Sequence, residues 1–251
     1  MPDVQIGPNL HSFIAIQATQ HHQSIGKIQC MLKDLFQLNF STGAISAAQG
    51  RVTEYLADTD TQIHETVKAS KLIMADETSH QRNNDKRWMW AALSNDVTFF
   101  QINSGRNQHA ARRLLGEAVS HLLVTDQYYR RLRRLRKSWL HWLKLGSYQC
   151  SERYRGRCRN LIADDAMVWR FMDDSEYPLT NNAAERVLRN YILMRKCCYV
   201  TRSYRGDQFR ERMFSLIETV RLQQLSAYKW LREIVEHHML KVDYQAPLFL
   251  A

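Results

Sequence analysis

Three short apolar runs crowd into residues 72–102, in a chain otherwise periodic at helical spacing, and they constrain the fold more than any other feature. Leu72-Ile73-Met74-Ala75 ends in Asp76, residues 87–93 read Arg-Trp-Met-Trp-Ala-Ala-Leu, and residues 97–102 read Val-Thr-Phe-Phe-Gln-Ile. Runs this short, rich in apolar and aromatic residues and bounded by polar ones, are read as strands. A polar turn over 78–86 and a tight turn at Ser94-Asn95-Asp96 would join them as an antiparallel meander. A short helix is predicted for 108–115. The next apolar run, His121-Leu122-Leu123-Val124-Thr125, ends in a second aspartate, Asp126. A strand reached through a helical crossover is best placed parallel to an earlier one.

Helices flank this sheet. The first sixty-odd residues read as helical. Ser24 is a plausible cap for a segment reaching Phe36, with Ile25, Ile28, Leu32 and Leu35 at helical spacing. After a polar break, a second helix over 44–57 carries Ile45, Ala48, Val52 and Leu56. Such a pair reads either as an ordinary packing unit or as a DNA-reading helix-turn-helix. Residues 128–145 form a helical stripe of Leu132, Leu135, Trp139 and Trp142. Six of the eight residues from 130 to 137 are cationic, Arg130, Arg131, Arg133 and Arg134 among them. That face is either simply solvated or tracks phosphates. A loop is expected over 146–156 and a helix over 158–172. Further helices are expected from residue 182, over 209–225 and on to about 239.

The net charge of +10 favours a polyanionic partner. No apolar run approaches the ~20 residues of a membrane span, and the amino terminus lacks a signal-peptide pattern. The five cysteines are odd in number and form no CxxC pair, which points to free thiols in a reducing cytoplasm.

Three carboxylates punctuate the elements. Asp76 and Asp126 close apolar runs, and Glu185 opens an arginine-rich helix after Pro178-Leu179-Thr180-Asn181-Asn182-Ala183-Ala184. Asn182 and Glu185 by themselves form a capping box. The order strand-Asp, hairpin, helix, strand-Asp, helix-Glu is that of the RNase H-like nucleotidyl-transfer fold. The expected class is therefore α/β: a mixed sheet, three meander strands plus one parallel strand, flanked by helices and preceded by a helical segment. Three hard oxygen ligands suit Mg²⁺, and a pair of ions stabilises both oxygens of an in-line phosphoryl displacement. There is no GxSxG, P-loop or dinucleotide glycine fingerprint.

The residues resemble a known family. Ala75-Asp76-Glu77-Thr78, Trp88-Met89-Trp90-Ala91-Ala92, Thr125-Asp126-Gln127-Tyr128 and above all residues 178–186 look like the catalytic region of DDE transposases of the insertion sequence 66 family. Leu188-Arg189, Arg195-Lys196, Thr201-Arg202-Ser203 and residues 215–219 continue the likeness. Gly7-Pro8-Asn9-Leu10 and residues 32–36 are similar to the helical region before the core. The resemblance implies that Asp76, Asp126 and Glu185 bind two Mg²⁺ ions, with Mn²⁺ as a substitute. It also implies that Asn181, Asn182 and Trp88 support the site. Arg186, Arg189, Arg195 and Lys196 would hold DNA, together with Arg130, Arg131, Arg133 and Arg134. The implied reaction is cleavage and joining of transposon-end DNA. The implied partners are transposon ends and target DNA, accessory proteins of the same element and further copies of the chain on DNA, in a cytoplasmic, nucleoid-associated setting without a membrane.

The implied layout is a helical segment over 1–68, a catalytic core over 69–204 with a shortened insert around 128–177, and carboxy-terminal helices over 205–251. It is that of a shortened copy, without the family's usual amino-terminal recognition region. Ser138-Trp139-Leu140-His141 stands where the family has Cys-Trp-Ala-His, Ser79 and His80 replace an expected glycine and tryptophan, and Asn190 replaces an expected proline. Three readings follow: an active transposase, a non-catalytic DNA-binding remnant, and an RNase H-like nuclease.

Overall fold

The computed structural model describes residues 6–116, 122–124, 126–165, 169 and 181–241, with backbone alone for 122–124 and 126–130. Four helices come first: α1 (Pro8–Thr19), α2 (Ile25–Phe36), α3 (Thr42–Tyr55) and α4 (Ala57–Ala69). Then follow β1 (Leu72–Arg82), β2 (Asp85–Leu93), β3 (Thr98–Asn103), α5 (Gln108–Leu115) and β4 (Leu122–Val124). The helices α6 (Asp126–Gln149), α7 (Glu152–Ala163), α8 (Asn182–Cys198), α9 (Tyr204–Leu222) and α10 (Ala227–Leu240) complete the chain. The chain divides into two units, Met1–Leu122 with Ala183–Ala251, and Leu123–Asn182. No described helix is long and apolar enough to cross a membrane.

In the first unit one hydrophobic core joins the two ends of the sequence. Ile14, Ile28, Ile45, Val52 and Leu56 from the amino-terminal helices pack with Met213, Leu216, Val220, Leu231 and Ile234 from α9 and α10. The 1–68 and 205–251 segments, read separately along the sequence, therefore share their interior. Ser24 and Ser41 cap α2 and α3, each accepting the amide three residues on. Ile45, Ala48, Gly50, Val52 and Thr53 of α3 are buried, and Arg51 on it donates to His11 Nε2 at 3.0 Å.

The meander is present as expected, with β1–β2 and β2–β3 antiparallel and the sheet order β3-β2-β1-β4. Its details differ from the sequence reading. β1 runs on to Arg82, so Asp76 lies in mid-strand, opposite Ala91, and not at a strand end. The polar stretch 78–86 is mostly the two arms of a hairpin. Arg82 faces Asp85 across a two-residue turn, where Asn83 takes φ +51°, a left-handed conformation Asn tolerates. Polarity misled because these arms extend past the core.

The edge strand β3 is closed by α9. The amides of Thr98 and Phe100 donate to Thr219 Oγ1 and Ser215 Oγ, each at 3.0 Å, and that of Ile102 donates to the Glu211 carboxyl group. Four helical residues rise about 6 Å and two strand residues about 6.8 Å, so the two rows stay in step. Burial pushes the Glu211 carboxyl up to about 7, and Asp60 beside it is pushed to about 7 as well by its own burial.

Past the end of β4, the described elements of the second unit are helical. The expected loop over 146–156 is not there. α6 continues to Gln149, and only Cys150 and Ser151 separate it from α7. Gly146 lets α7 approach closely, since a Cβ there would stand 2.8 Å from Cys158 Sγ. Arg136 Nε donates to Asp165 Oδ2 at 3.1 Å, and Trp139 meets Trp169 edge-on with centroids 5.9 Å apart. Of the helix expected over 158–172, residues 166–168 and 170–172 lie outside the described residues.

Ser215→Ala should leave the buried Phe100 amide without its acceptor and lower the unfolding free energy by about 1–3 kcal/mol, whereas Ser104→Ala at an exposed site should change it by under about 0.5 kcal/mol. Urea titration of both variants tests this, and equal effects would overturn the pairing.

Candidate catalytic and nucleic-acid site

Alternation along β1 puts Asp76, Thr78 and His80 on one face of the strand. Asp76 is half-buried and its Oδ1 accepts the Glu77 amide at 2.8 Å. Four residues on, the wholly buried His80 ties three elements together. Its Nε2 lies 2.9 Å from Asp207 Oδ1 on α9 and 3.1 Å from Thr201 Oγ1, and its Nδ1 meets the Tyr191 hydroxyl on α8. A carboxylate only accepts, so Nε2 carries the proton towards Asp207, and Nδ1 of the neutral ring accepts from Tyr191. Arg82 Nε lies 3.0 Å from the other Asp207 oxygen, and the Thr201 hydroxyl donates to Oδ1.

The titration shifts agree with this order. Burial lowers the His80 pKa against the opposing pull of Asp207, so the ring is held neutral. Burial also pushes the Asp207 carboxyl up, but the hydrogen bonds from His80 and Thr201 and the charge of Arg82 outweigh it and hold it below its ordinary value. Burial drives the Tyr191 hydroxyl up to about 12 and keeps it a donor. A Tyr-His-Asp chain resembles a nucleophile relay, but Tyr191 is fully buried and reaches no substrate. Its role is to hold α8 and α9 against β1.

α8 receives further clamps. Arg195 donates to the Ser79 carbonyl, to Ser79 Oγ at 2.6 Å and to Thr78 Oγ1 at 3.4 Å. Arg210 reaches the carbonyls of Cys198 and Tyr199 at the end of α8, each at 3.4 Å. Arg195, expected on DNA, is thus engaged by the strand, while Lys196 is exposed. Asn190 bonds Glu218 Oε1 at 2.9 Å and His22 Nε2 at 2.7 Å, and as a non-proline residue it keeps α8 unbroken.

Glu185 is exposed in the first turn of α8, with Arg186 and Arg189 exposed after it. Asn182 is the first helical residue and Asn181 is buried. Glu185 is therefore the fourth residue of the helix, whereas a capping box with Asn182 as the cap would make it the third. Trp88 has the Lys86 ammonium and the Arg106 guanidinium each 5.1 Å from its ring centroid, and Arg106 also pairs with Glu77.

Asp126 opens α6, in the second unit, and its side chain lies outside the described residues, as does that of Arg130; Pro178, Leu179 and Thr180 lie outside them altogether. Arg131, Arg133 and Arg134 are exposed on α6. Among the described residues no three His, Cys, Asp or Glu side chains gather as a metal cluster.

Two stretches, residues 3–142 and 130–208, match the family model described as Transposase IS66 family. The chain belongs to the IS66 transposase family. No curated protein and no solved structure matches it. The two matches to the transposase model overlap within α6, inside the second unit. The family relationship implies DNA as partner, and α7 adds cations that the sequence reading passed over. Arg153 and Arg155 lay in the expected loop, Arg157 just past it and Arg159 in the helix expected over 158–172, although their alternation along 152–160 was a visible signal. The His80–Asp207 pair had no local signal, since 127 residues separate its members.

His80→Gln should lower the unfolding free energy by about 2–4 kcal/mol at pH 7.5. Above the ordinary His pKa of 6.5 the ring is neutral folded and unfolded. Below it the unfolded chain takes a proton that the folded His80 resists, so wild type loses stability as pH falls towards the lowered folded value. The gap between wild type and variant should therefore narrow below pH 6.5, by up to about 1.4 kcal/mol per pH unit. Asp60 and Glu211, whose raised pKa values cost stability as pH rises towards 7, are common to both proteins and cancel in the difference. A constant gap in denaturant titrations across pH 5–8 would rule this reading out.

Proposed function

We propose that this chain is a DDE-type transposase that cuts transposon-end DNA and joins it to target DNA in a Mg²⁺-dependent reaction. The observation that carries the reading is the family match itself, whose two stretches take in Asp76, Asp126 and Glu185. The sheet order β3-β2-β1-β4, with an antiparallel meander ahead of the fourth strand, supports an RNase H-like arrangement in which β4 runs parallel to β1.

The donor set suits the ion. Asp76, Asp126 and Glu185 offer carboxylate oxygens, with no thiolate or imidazole, the choice for Mg²⁺ or Mn²⁺ and not for zinc. When bound, two such ions would activate the attacking oxygen and relieve charge on the leaving one. The chain's own part is to hold and orient. Asp76 is fixed on a strand whose neighbours are clamped by Arg195 and His80. Arg186, Arg189 and Lys196 on α8, and Arg131, Arg133 and Arg134 on α6, offer charge to phosphates. No protein nucleophile is needed: water and then the freed 3′-hydroxyl attack phosphorus, one P–O bond forming as one breaks. Self-association on DNA and help from accessory proteins of the same element complete the proposal.

With Mg²⁺ or Mn²⁺ the protein should nick a plasmid carrying the element's ends. Asp76→Asn, Asp126→Asn and Glu185→Gln should each abolish nicking while leaving salt-sensitive DNA binding in place. DNA binding by wild type without any metal-dependent nicking would favour a non-catalytic DNA-binding member. Cleavage of duplexes without the ends would favour a general nuclease.

A further inference from the structure

In the first unit a cavity of about 890 Å³ opens between the end of α1, the first half of α8, the end of α9 and the start of α10. Its lining is of two kinds. Arg186, Arg189 and Arg221 supply positive charge, and no Asp or Glu lines it. Leu193 and Leu225, 47% and 44% exposed, stand on its wall with Tyr228. Arg221 is 68% exposed and rests at 3.4 Å on Glu218, which is buried beneath it. Arg186 directly follows Glu185 and Arg189 stands one turn on, so the cavity shares α8 with that candidate ligand.

Duplex DNA presents a charged backbone with its bases stacked inside, so it would use the arginines and leave apolar walls of this depth unfilled. An unpaired nucleotide uses both: its phosphate matches the guanidinium groups, and its base and sugar match the leucines and the tyrosine. The volume lies within the roughly 300–1,000 Å³ of ligand pockets. We propose that this cavity takes an unpaired nucleotide of the DNA strand next to the bond that is cut, a site that rests on the transposase reading above.

The test uses the full chain in metal-free buffer, so that cleavage plays no part. Duplexes with a short 3′ single-stranded end carrying 2-aminopurine are compared with blunt duplexes of the same sequence. The open end should bind about tenfold more tightly, with a change in 2-aminopurine emission on binding. Leu193→Gln, which removes the apolar wall without adding charge at a half-exposed site, should remove this preference while blunt-duplex affinity stays within about twofold. Its melting temperature should match wild type. Free dAMP should compete for the preference and inorganic phosphate should not. Equal binding of both duplexes, equal loss for both in Leu193→Gln, or phosphate competing as well as dAMP would overturn the proposal. An open-end preference in a protein that never nicks would leave the cavity standing and remove the catalytic reading. Nicking that depends on the three carboxylates, with no such preference, would do the reverse.

Discussion

The structure of the first unit depends on a match of two spacings. Every second amide of β3 points outward from the sheet edge, and every fourth residue of α9 offers it an oxygen: Glu211, Ser215 and Thr219. An open strand edge invites pairing with another chain, and unpaired buried amides are costly. Here the helix closes the edge with side chains, while its other faces enter the core shared with α1, α3 and α10. Sheet and helical segment are thereby made one body, although some hundred residues separate β3 from α9 along the chain.

A second, more polar set of contacts fixes α8. Tyr191, His80, Asp207 and Thr201 form one ordered chain of donors and acceptors, with Arg82 as an ion pair beside Asp207, and Arg195 and Arg210 fasten the strand and the helix end. A buried network of this kind is favourable only when each member is satisfied, and then it specifies one arrangement. Its placement matters because β1 carries Asp76 and α8 carries Glu185. What resembles a nucleophile relay is better understood as the frame on which two of the three candidate ligands stand.

The cations divide by what they touch. Arg195, Arg210 and Arg82 are absorbed by the fold, and Arg136 by Asp165. Arg189, Lys196, Arg131, Arg133 and Arg134 face solvent, and α7 extends the basic character of the second unit. The net charge of +10 therefore overstates the freedom of individual arginines and still points to a polyanion.

The sequence by itself determined most of the element types, the meander, the cap at Ser24 and the family, because periodicity, capping residues and motif residues are local signals. It misread the reach of β1, since the hairpin arms are polar where they leave the core, and it made a loop of 146–156, since a glycine that permits close packing looks like one that ends a helix. Only the tertiary structure decided that the two ends of the chain share a core. It alone paired His80 with Asp207, bound Arg195 to β1 and opened a cavity lined by Arg186 and Arg189. Each of these joins residues far apart in sequence, and no local pattern encodes a contact whose partner lies a hundred residues away.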